Sequence, residues 1–336
     1  MKKEIIKIKK WQLLRRRSRE EIADLSGEDF LAVGRRAFLG QRRLEKVVLP
    51  QATSAIKTEA FRGCKRLKTV VLPSESNVGL SGAAFAGCAR LQEVENSEAI
   101  SAIGARAFAG CRMLANFEFG RDLKRIGERA FAGCHFLKSL TLPSSIVSLG
   151  RGAFADCVEL SRVEMDPFLS AAAPDLFRGC ISLTDVIFST EWREIPKGAF
   201  RSCSALETLN LPAQIEKIGR YAFFDCARLR EVTLLHGLKK IGARAFAHAP
   251  RLECVRLPGS LTRLGFGAFG LGFSKEKTVL EVENEYMVRR LKLLLILCGS
   301  FGRVRVVQVG KTLDERKRER RRDTIEKKPV HLLDED

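Results

Sequence analysis

The amino-acid sequence predicts a repeat solenoid of about eleven 23-residue coils, each made of short strands and a helical turn, with a C-terminal strand-helix-strand cap. Three observations predict it. Phenylalanine recurs at 38, 61, 85, 108, 131, 154, 177, 200, 223, 246 and 269; nine of these ten intervals are 23 residues and one is 24. The other apolar slots of each unit keep step with that Phe. Finally, no unit of this size has two apolar faces to pack on each other, so each must bury its inner side against the next.

The unit reads in order. Six residues after the Phe stands Leu, as at Leu44, Leu67, Leu91, Leu114 and Leu137. Nine after it stands Val or another apolar residue, and eleven after it usually Leu, often followed by Pro, as in Val47-Val48-Leu49-Pro50. This V-x-L alternation reads as a short strand with one side inward. The Pro ends its pairing, having no N–H to donate. Ile or Leu and then Gly precede the next Phe, as in Ile103-Gly104, Ile126-Gly127 and Ile241-Gly242, and mark a second short extended segment. A-F-x-x-C-x-x-L spaces its apolar residues by three, which predicts one or two helical turns. At the strand spacing of about 4.8 Å per coil, eleven coils give a body on the order of 50 Å long.

The ends differ from the repeats. Residues 1–29 are expected to form a basic arm and cap, 30–282 the solenoid, 283–310 the C-terminal cap, and 311–336 a charged tail. T-V-L-E-V, then N-E-Y-M-V-R-R-L-K-L-L-L-I-L-C-G, then R-V-R-V-V-Q-V reads strand, helix, strand, with Asn284 as helix N-cap and Gly299 as its stop.

Composition bounds the function. Of 336 residues, 45% are hydrophobic, and 59 Lys and Arg face 40 Asp and Glu, a net charge of +19 that favours anionic partners. The N-terminus is positive but lacks the apolar core of a secretory signal, and the longest apolar run, Leu293–Cys298, is too short to cross a bilayer. These features, with no N-x-[ST] acceptor, predict a cytoplasmic protein in a reducing compartment, or a nuclear one in a eukaryote.

Eight of the ten cysteines occupy one slot, three residues after the Phe: 64, 88, 111, 134, 157, 180, 203 and 226. Metal would want close pairs such as C-x₂-C, and none exists. A disulfide ladder would need the backbone to twist at each step, because parallel Cβ vectors hold stacked sulfurs apart. The slot also accepts Ala249, which favours packing over metal, disulfide or nucleophile. Cys254 falls on an outward strand position, as an exposed bystander or a modifiable thiol, and Cys298 in the cap.

Gly265-Phe266-Gly267-Ala268-Phe269-Gly270 matches G-x-G-x-x-G, but its residues are the ordinary repeat slots and no βαβ unit surrounds them. The four His (His135, His236, His248, His331) read as solvated loop or tail residues. No catalytic constellation appears, and no cofactor or metal is expected.

The unit resembles the BspA-type leucine-rich repeat, also described from treponemal surface proteins, whose pattern is approximately L-x-x-V-x-L-P-x-x-L-x-x-I-G-x-x-A-F-x-x-C. Residues 137–157 match it nearly slot by slot, from Leu137 through Leu140, Leu142-Pro143, Ile146, Leu149-Gly150 and Ala153-Phe154 to Cys157, and the resemblance covers about residues 30–282. It implies a leucine-rich repeat fold and a curved binding body without catalytic residues.

Two surfaces emerge as candidates. Outward strand positions carry Glu93, Glu95, Glu118, Arg162, Glu164, Asp185, Glu207 and Glu231, a mixed face with acidic patches suited to a protein partner. A flank six or seven residues before each Phe carries Lys124, Arg125, Arg193, Lys217, Lys239, Lys240 and Arg263. With nine Lys or Arg in residues 1–20 and R-K-R-E-R-R-R at 316–322, that flank could instead grip nucleic-acid phosphates, although no aromatic residues are interleaved for base stacking. The leading expectation is a non-enzymatic protein-interaction scaffold. A nucleic-acid-associated protein comes second and a bacterial surface adhesin third. Oligomeric state is not legible.

Overall fold

The computed structural model describes residues 21–75, 77–252, 254–270, 278–282, 289 and 304–308. Cys298, His331, residues 1–20 of the basic arm, the charged tail, and the cap helix expected at 284–298 apart from Arg289 lie outside them.

The chain winds as a parallel-strand solenoid of about eleven turns. One ladder takes the V-x-L segment of successive coils: Ile22–Asp24, Lys46–Val48, Thr69–Val71 and Glu93–Glu95; then Ser139–Leu142, Arg162–Met165 and Asp185–Ile187; then Thr208–Asn210, Glu231–Thr233, Cys254–Arg256, Thr278–Val282 and Val304–Gln308. All its pairings are parallel, and equivalent residues face each other, as Val47 faces Val70 and Val232 faces Val255. A second ladder of mostly two-residue strands runs beside it, from Ala32–Val33 to Ser148–Leu149 and again from Glu194–Ile195 to Arg263–Leu264.

The period-2 pattern decides which side is buried. In the first ladder Val47, Val70, Val94, Leu140, Val163, Leu209, Val232 and Val255 turn inward. In the second, Ile56, Ile103, Ile126, Ile195, Ile218 and Ile241 do the same, and all join one continuous core. A slip of one residue would expose every one of them, so the hydrophobic pattern fixes the register.

The expected helical turns are not formed. The A-F-x-x-C stretch is a run of overlapping β-turns, visible around Phe108. There the N–H groups of Ala107, Ala109 and Cys111 donate to the carbonyls three residues earlier, of Gly104, Arg106 and Phe108. The alternate N–H groups, of Arg106, Phe108 and Gly110, donate to Glu128, Ala130 and Ala132 of the next coil at 2.7–2.8 Å. A helix would direct all of them four residues back. Two left-handed residues per coil, two before and two after the Phe, prevent that: Arg106 has φ 57° and Gly110 φ 74°. Positive φ at the third residue of a turn is the mark of type II. The turns thus form a third inter-coil ladder.

This third ladder aligns the phenylalanines. From Phe38 to Phe269 every consecutive pair is stacked, with ring centroids 4.8–5.7 Å apart. Such pairs contribute about 0.5–1.5 kcal/mol each beyond the area they bury. Beside them, each slot cysteine donates its S–H to the carbonyl of the preceding coil's Phe, from Cys64 to Phe38 at 3.0 Å through Cys226 to Phe200 at 3.3 Å.

The glycine after the Ile has its own reason. A Cβ on Gly127 would lie 2.4 Å from the Ala105 nitrogen and 2.6 Å from the Gly104 carbonyl carbon, so the backbones meet there with no room for a side chain.

Candidate interaction surfaces

The first ladder places the outward strand positions in one array. Glu93 and Glu95 flank the buried Val94 on Glu93–Glu95, and Arg162 and Glu164 flank Val163. Asp185 and Glu231 open their strands, and Glu207 stands just before Thr208. Glu118 is exposed in a coil whose 116–118 segment forms no strand. Ion pairs neutralise part of the face. Lys46 reaches Glu95 across two coils at 3.5 Å, Arg162 bridges Glu164 at 3.4 Å and also pairs with Asp185, and Arg256 meets Glu281 at 3.3 Å. Among the described residues Glu93, Glu118, Glu207 and Glu231 form no ion pair. The strand side therefore carries two groups of uncompensated carboxylate, one early and one late.

The basic flank follows the second ladder, where Lys217, Lys240 and Arg263 face one another in register. It is partly neutralised. Lys217 pairs with Glu194 at 2.7 Å and Lys239 with Glu216 at 2.8 Å. The Lys239 hydrogen bond holds the Glu216 carboxyl below its usual range. Lys124, Arg125, Arg193, Lys240 and Arg263 form no ion pair among the described residues.

The cysteine column is closed to solvent, and burial suppresses the thiolate in all of it but its first member, Cys64, whose thiol is lowered by its interaction with Cys88. All eight slot cysteines are free and buried. Burial pushes the thiols of Cys157 and Cys226 up to about 12, and Cys111, Cys134, Cys180 and Cys203 rise for the same reason. Thiolate, the form that attacks or binds metal, is suppressed in them at neutral pH. Among the described residues no three His, Cys, Asp or Glu converge to hold a metal ion. No helix among them is long and apolar enough to cross a membrane. The Cys254 side chain lies outside the described residues.

One constellation went unread in the sequence. At the turn edge of three late coils, the Arg201 guanidinium lies 5.1 Å from the Phe224 ring centroid and 5.7 Å from that of Tyr221. Arg220 and Arg244 lie 4.9 and 6.0 Å from the Tyr221 centroid and donate hydrogen bonds to its oxygen at 3.2 and 3.4 Å. Tyr221 and Phe224 meet edge to face at 5.4 Å, and His248 packs on Phe224 at 4.7 Å. The Arg220 hydrogen bond lowers the Tyr221 hydroxyl from its ordinary value. One expectation is corrected: His248 is half-buried on a ring instead of solvated in a loop. The aromatic and basic residues that do interleave lie on this turn edge and not on the basic flank. The signal was present in columns, since Tyr221, Phe224 and His248 stand two before, one after and two after their Phe slots.

Comparison with known proteins agrees with this architecture. The model of the BspA type leucine rich repeat region matches residues 32–161 and 170–272, in six copies. No curated protein matches significantly. Among solved structures, the pneumococcal vaccine antigen PcpA is similar at 21% identity, over 86% of this chain and 85% of its own, with a TM-score of 0.50. A leucine-rich repeat protein from Bacteroides ovatus shows 20% identity over 86% of this chain and 92% of its own, TM-score 0.42. The T. pallidum leucine rich repeat protein shows 31% identity over 56% of this chain and 81% of its own, TM-score 0.45. The PcpA likeness is one of fold. Because the matched segments span well over half of the residues and coincide with the stacked coils, the chain belongs to the BspA type leucine-rich repeat family.

Proposed function

We propose that the protein is a non-enzymatic scaffold that binds another protein through the strand face of its first ladder. The observation that carries this reading is the set of exposed carboxylates along this side that form no ion pair among the described residues. They are Glu93 on its strand with Glu118 in the next coil, and Glu231 on its strand with Glu207 just before the neighbouring one. Stacked coils hold such charges on one side of a rigid body, and carboxylates without internal partners select a surface bearing Lys or Arg. The eight reduced, buried thiols suit a cytoplasmic or other reducing setting.

The test is capture from native lysate after nuclease treatment, with the wild-type chain and two charge-reversed variants, Glu93→Lys with Glu118→Lys and Glu207→Lys with Glu231→Lys. A protein retained by the wild type, lost by at least one pair and kept by an Arg43→Glu control on another edge supports the strand face. Equal retention by all variants overturns it.

A further inference from the structure

We propose that the turn edge built by Arg201, Arg220, Tyr221, Phe224, Arg244 and His248 binds single-stranded nucleic acid. This is a different surface from the strand face, and it stands or falls independently of the scaffold reading.

The same edge handles charge differently elsewhere. In the earlier coils some guanidinium groups meet a carboxylate: Arg36 and Arg62 share Glu59, Arg151 pairs with Asp175 at 2.6 Å, and Arg178 with Asp156 at 3.1 Å. Arg106 and Arg129, in the left-handed slot two residues before their Phe, form neither an ion pair nor a ring contact among the described residues. Glu59 and Asp175 occupy the left-handed slot two residues before the Phe. Tyr221 occupies that same slot, with φ 59°. Its neutral phenol oxygen takes the place of the carboxylate, accepting from both Arg220 and Arg244 without cancelling either charge.

The surplus is not repaired nearby. The turn segments 197–203, 220–226 and 243–249 contain Lys197, Arg201, Arg220 and Arg244 against a single acid, Asp225. Asp225 accepts the Ser202 hydroxyl at 3.1 Å. Three guanidinium groups gathered on one phenol ring repel each other, and an anion would relieve that repulsion. A bare phosphate would satisfy the charge but leave the rings unused. Tyr221, Phe224 and His248 form a contiguous aromatic surface beside the cations, and exposed guanidinium planes extend it. A chain that alternates phosphates with flat bases uses both parts, whereas paired bases in a duplex hide their faces. The in-register basic column of Lys217, Lys240 and Arg263 begins three residues before Arg220 and gives a phosphate backbone somewhere to continue. Nothing in this array reads base edges, so the recognition is of single strands without sequence preference.

The experiment measures fluorescence anisotropy of oligouridine and oligothymidine of about twelve nucleotides, with the full chain at about 0.15 M salt. Binding of either oligonucleotide is expected, and the arm bound tells RNA from DNA. Phe224→Ala should weaken it by about tenfold, as expected for one stacked base. Arg201→Gln with Arg220→Gln should weaken it at least as much and flatten the salt dependence by about 0.7 in log–log slope for each phosphate left without its cation. Lys124→Gln with Arg125→Gln, in an earlier coil, should change little. Unchanged affinity in both edge variants would place binding on the basic termini and overturn the proposal. So would a duplex binding as tightly as the single strand, or an acidic peptide of equal charge competing as well as the oligonucleotide. Should a variant fail to fold, photocrosslinking of iodouridine RNA to the wild type decides: adducts on the peptide holding Tyr221 and Phe224 support the site, and adducts confined to the termini overturn it.

Discussion

The thiol of Cys134 donates its hydrogen to the carbonyl oxygen of Phe108, 3.3 Å away in the preceding coil. That carbonyl also accepts the N–H of Cys111, so the Phe108 oxygen is shared between its own turn and the next coil's cysteine, as are those of Phe61, Phe85, Phe131, Phe177 and Phe200. The slot thus wants a small apolar side chain with a weak donor at its tip. Serine would supply the donor but costs more to bury, and alanine packs without bonding.

This predicts an order of stabilities. Cys134→Ala should cost about 1–2 kcal/mol, removing one sulfur and one weak hydrogen bond. Phe131→Ala should cost about 3–5 kcal/mol, because its ring stacks between Phe108 and Phe154 with centroids 5.1 and 5.4 Å away. Urea unfolding of both variants checks the order, and a costlier cysteine change would give the thiols a role beyond packing.

The left-handed turn residues predict a stabilising change. Ala83 sits at φ 55°, where an L side chain costs roughly 1–2 kcal/mol and glycine nothing, while glycine loses part of that advantage to its freer unfolded chain. Ala83→Gly should therefore raise stability by about 1 kcal/mol or somewhat less. Gly133→Ala, at φ 74°, should lower it by a similar amount. Gly127→Ala should lower it by about 1–3 kcal/mol or more, since its Cβ would press into the backbone of the coil before. Thermal melts of the three variants separate strain from crowding.

The buried thiols predict a dependence on alkaline pH. Burial raises Cys157 and Cys226 to about 12, above an unfolded value of about 8.5. Below about pH 8.5 both states hold their protons and the thiols give no slope. Above it the unfolded chain releases protons that the folded chain keeps, so stability falls with rising pH until the folded thiols titrate near 12. A thiol reagent at pH 8 should accordingly leave the eight slot cysteines unmodified until denaturant is added. Prompt labelling of any of them in the native protein would contradict the closed column.

The contrast between what was legible and what was not has a physical cause. Period-2 burial of Val47, Val70 and Val232 follows from side-chain alternation, which any strand obeys, so the ladders are legible directly. The spacing of three between Phe, Cys and Leu does not choose between a helix and overlapping turns. The deciding signal was the glycine two residues after the Phe at 40, 63, 87, 110, 133 and 179, a left-handed position that a helix interior avoids. The aromatic-arginine edge was hidden for another reason. Its members come from adjacent coils, so Phe224 and His248 are 24 residues apart in sequence and touch only because the coils stack.

That edge yields the last prediction. Two guanidinium groups donate to the Tyr221 oxygen, and the Arg220 hydrogen bond is the larger influence lowering its titration below the ordinary value near 10. The phenolate is the form that pairs with these cations, so ionisation here is favoured and should begin at lower pH than for a free tyrosine. In a Tyr286→Phe background, which leaves one tyrosine, ultraviolet titration should find the Tyr221 midpoint below 10. Arg220→Met should move it upward, and Arg244→Met should move it less, because its hydrogen bond is longer at 3.4 Å than the 3.2 Å of Arg220. A midpoint insensitive to both substitutions would mean that the three arginines do not converge on this ring in solution, and the edge would lose the uncompensated charge on which nucleic-acid binding depends.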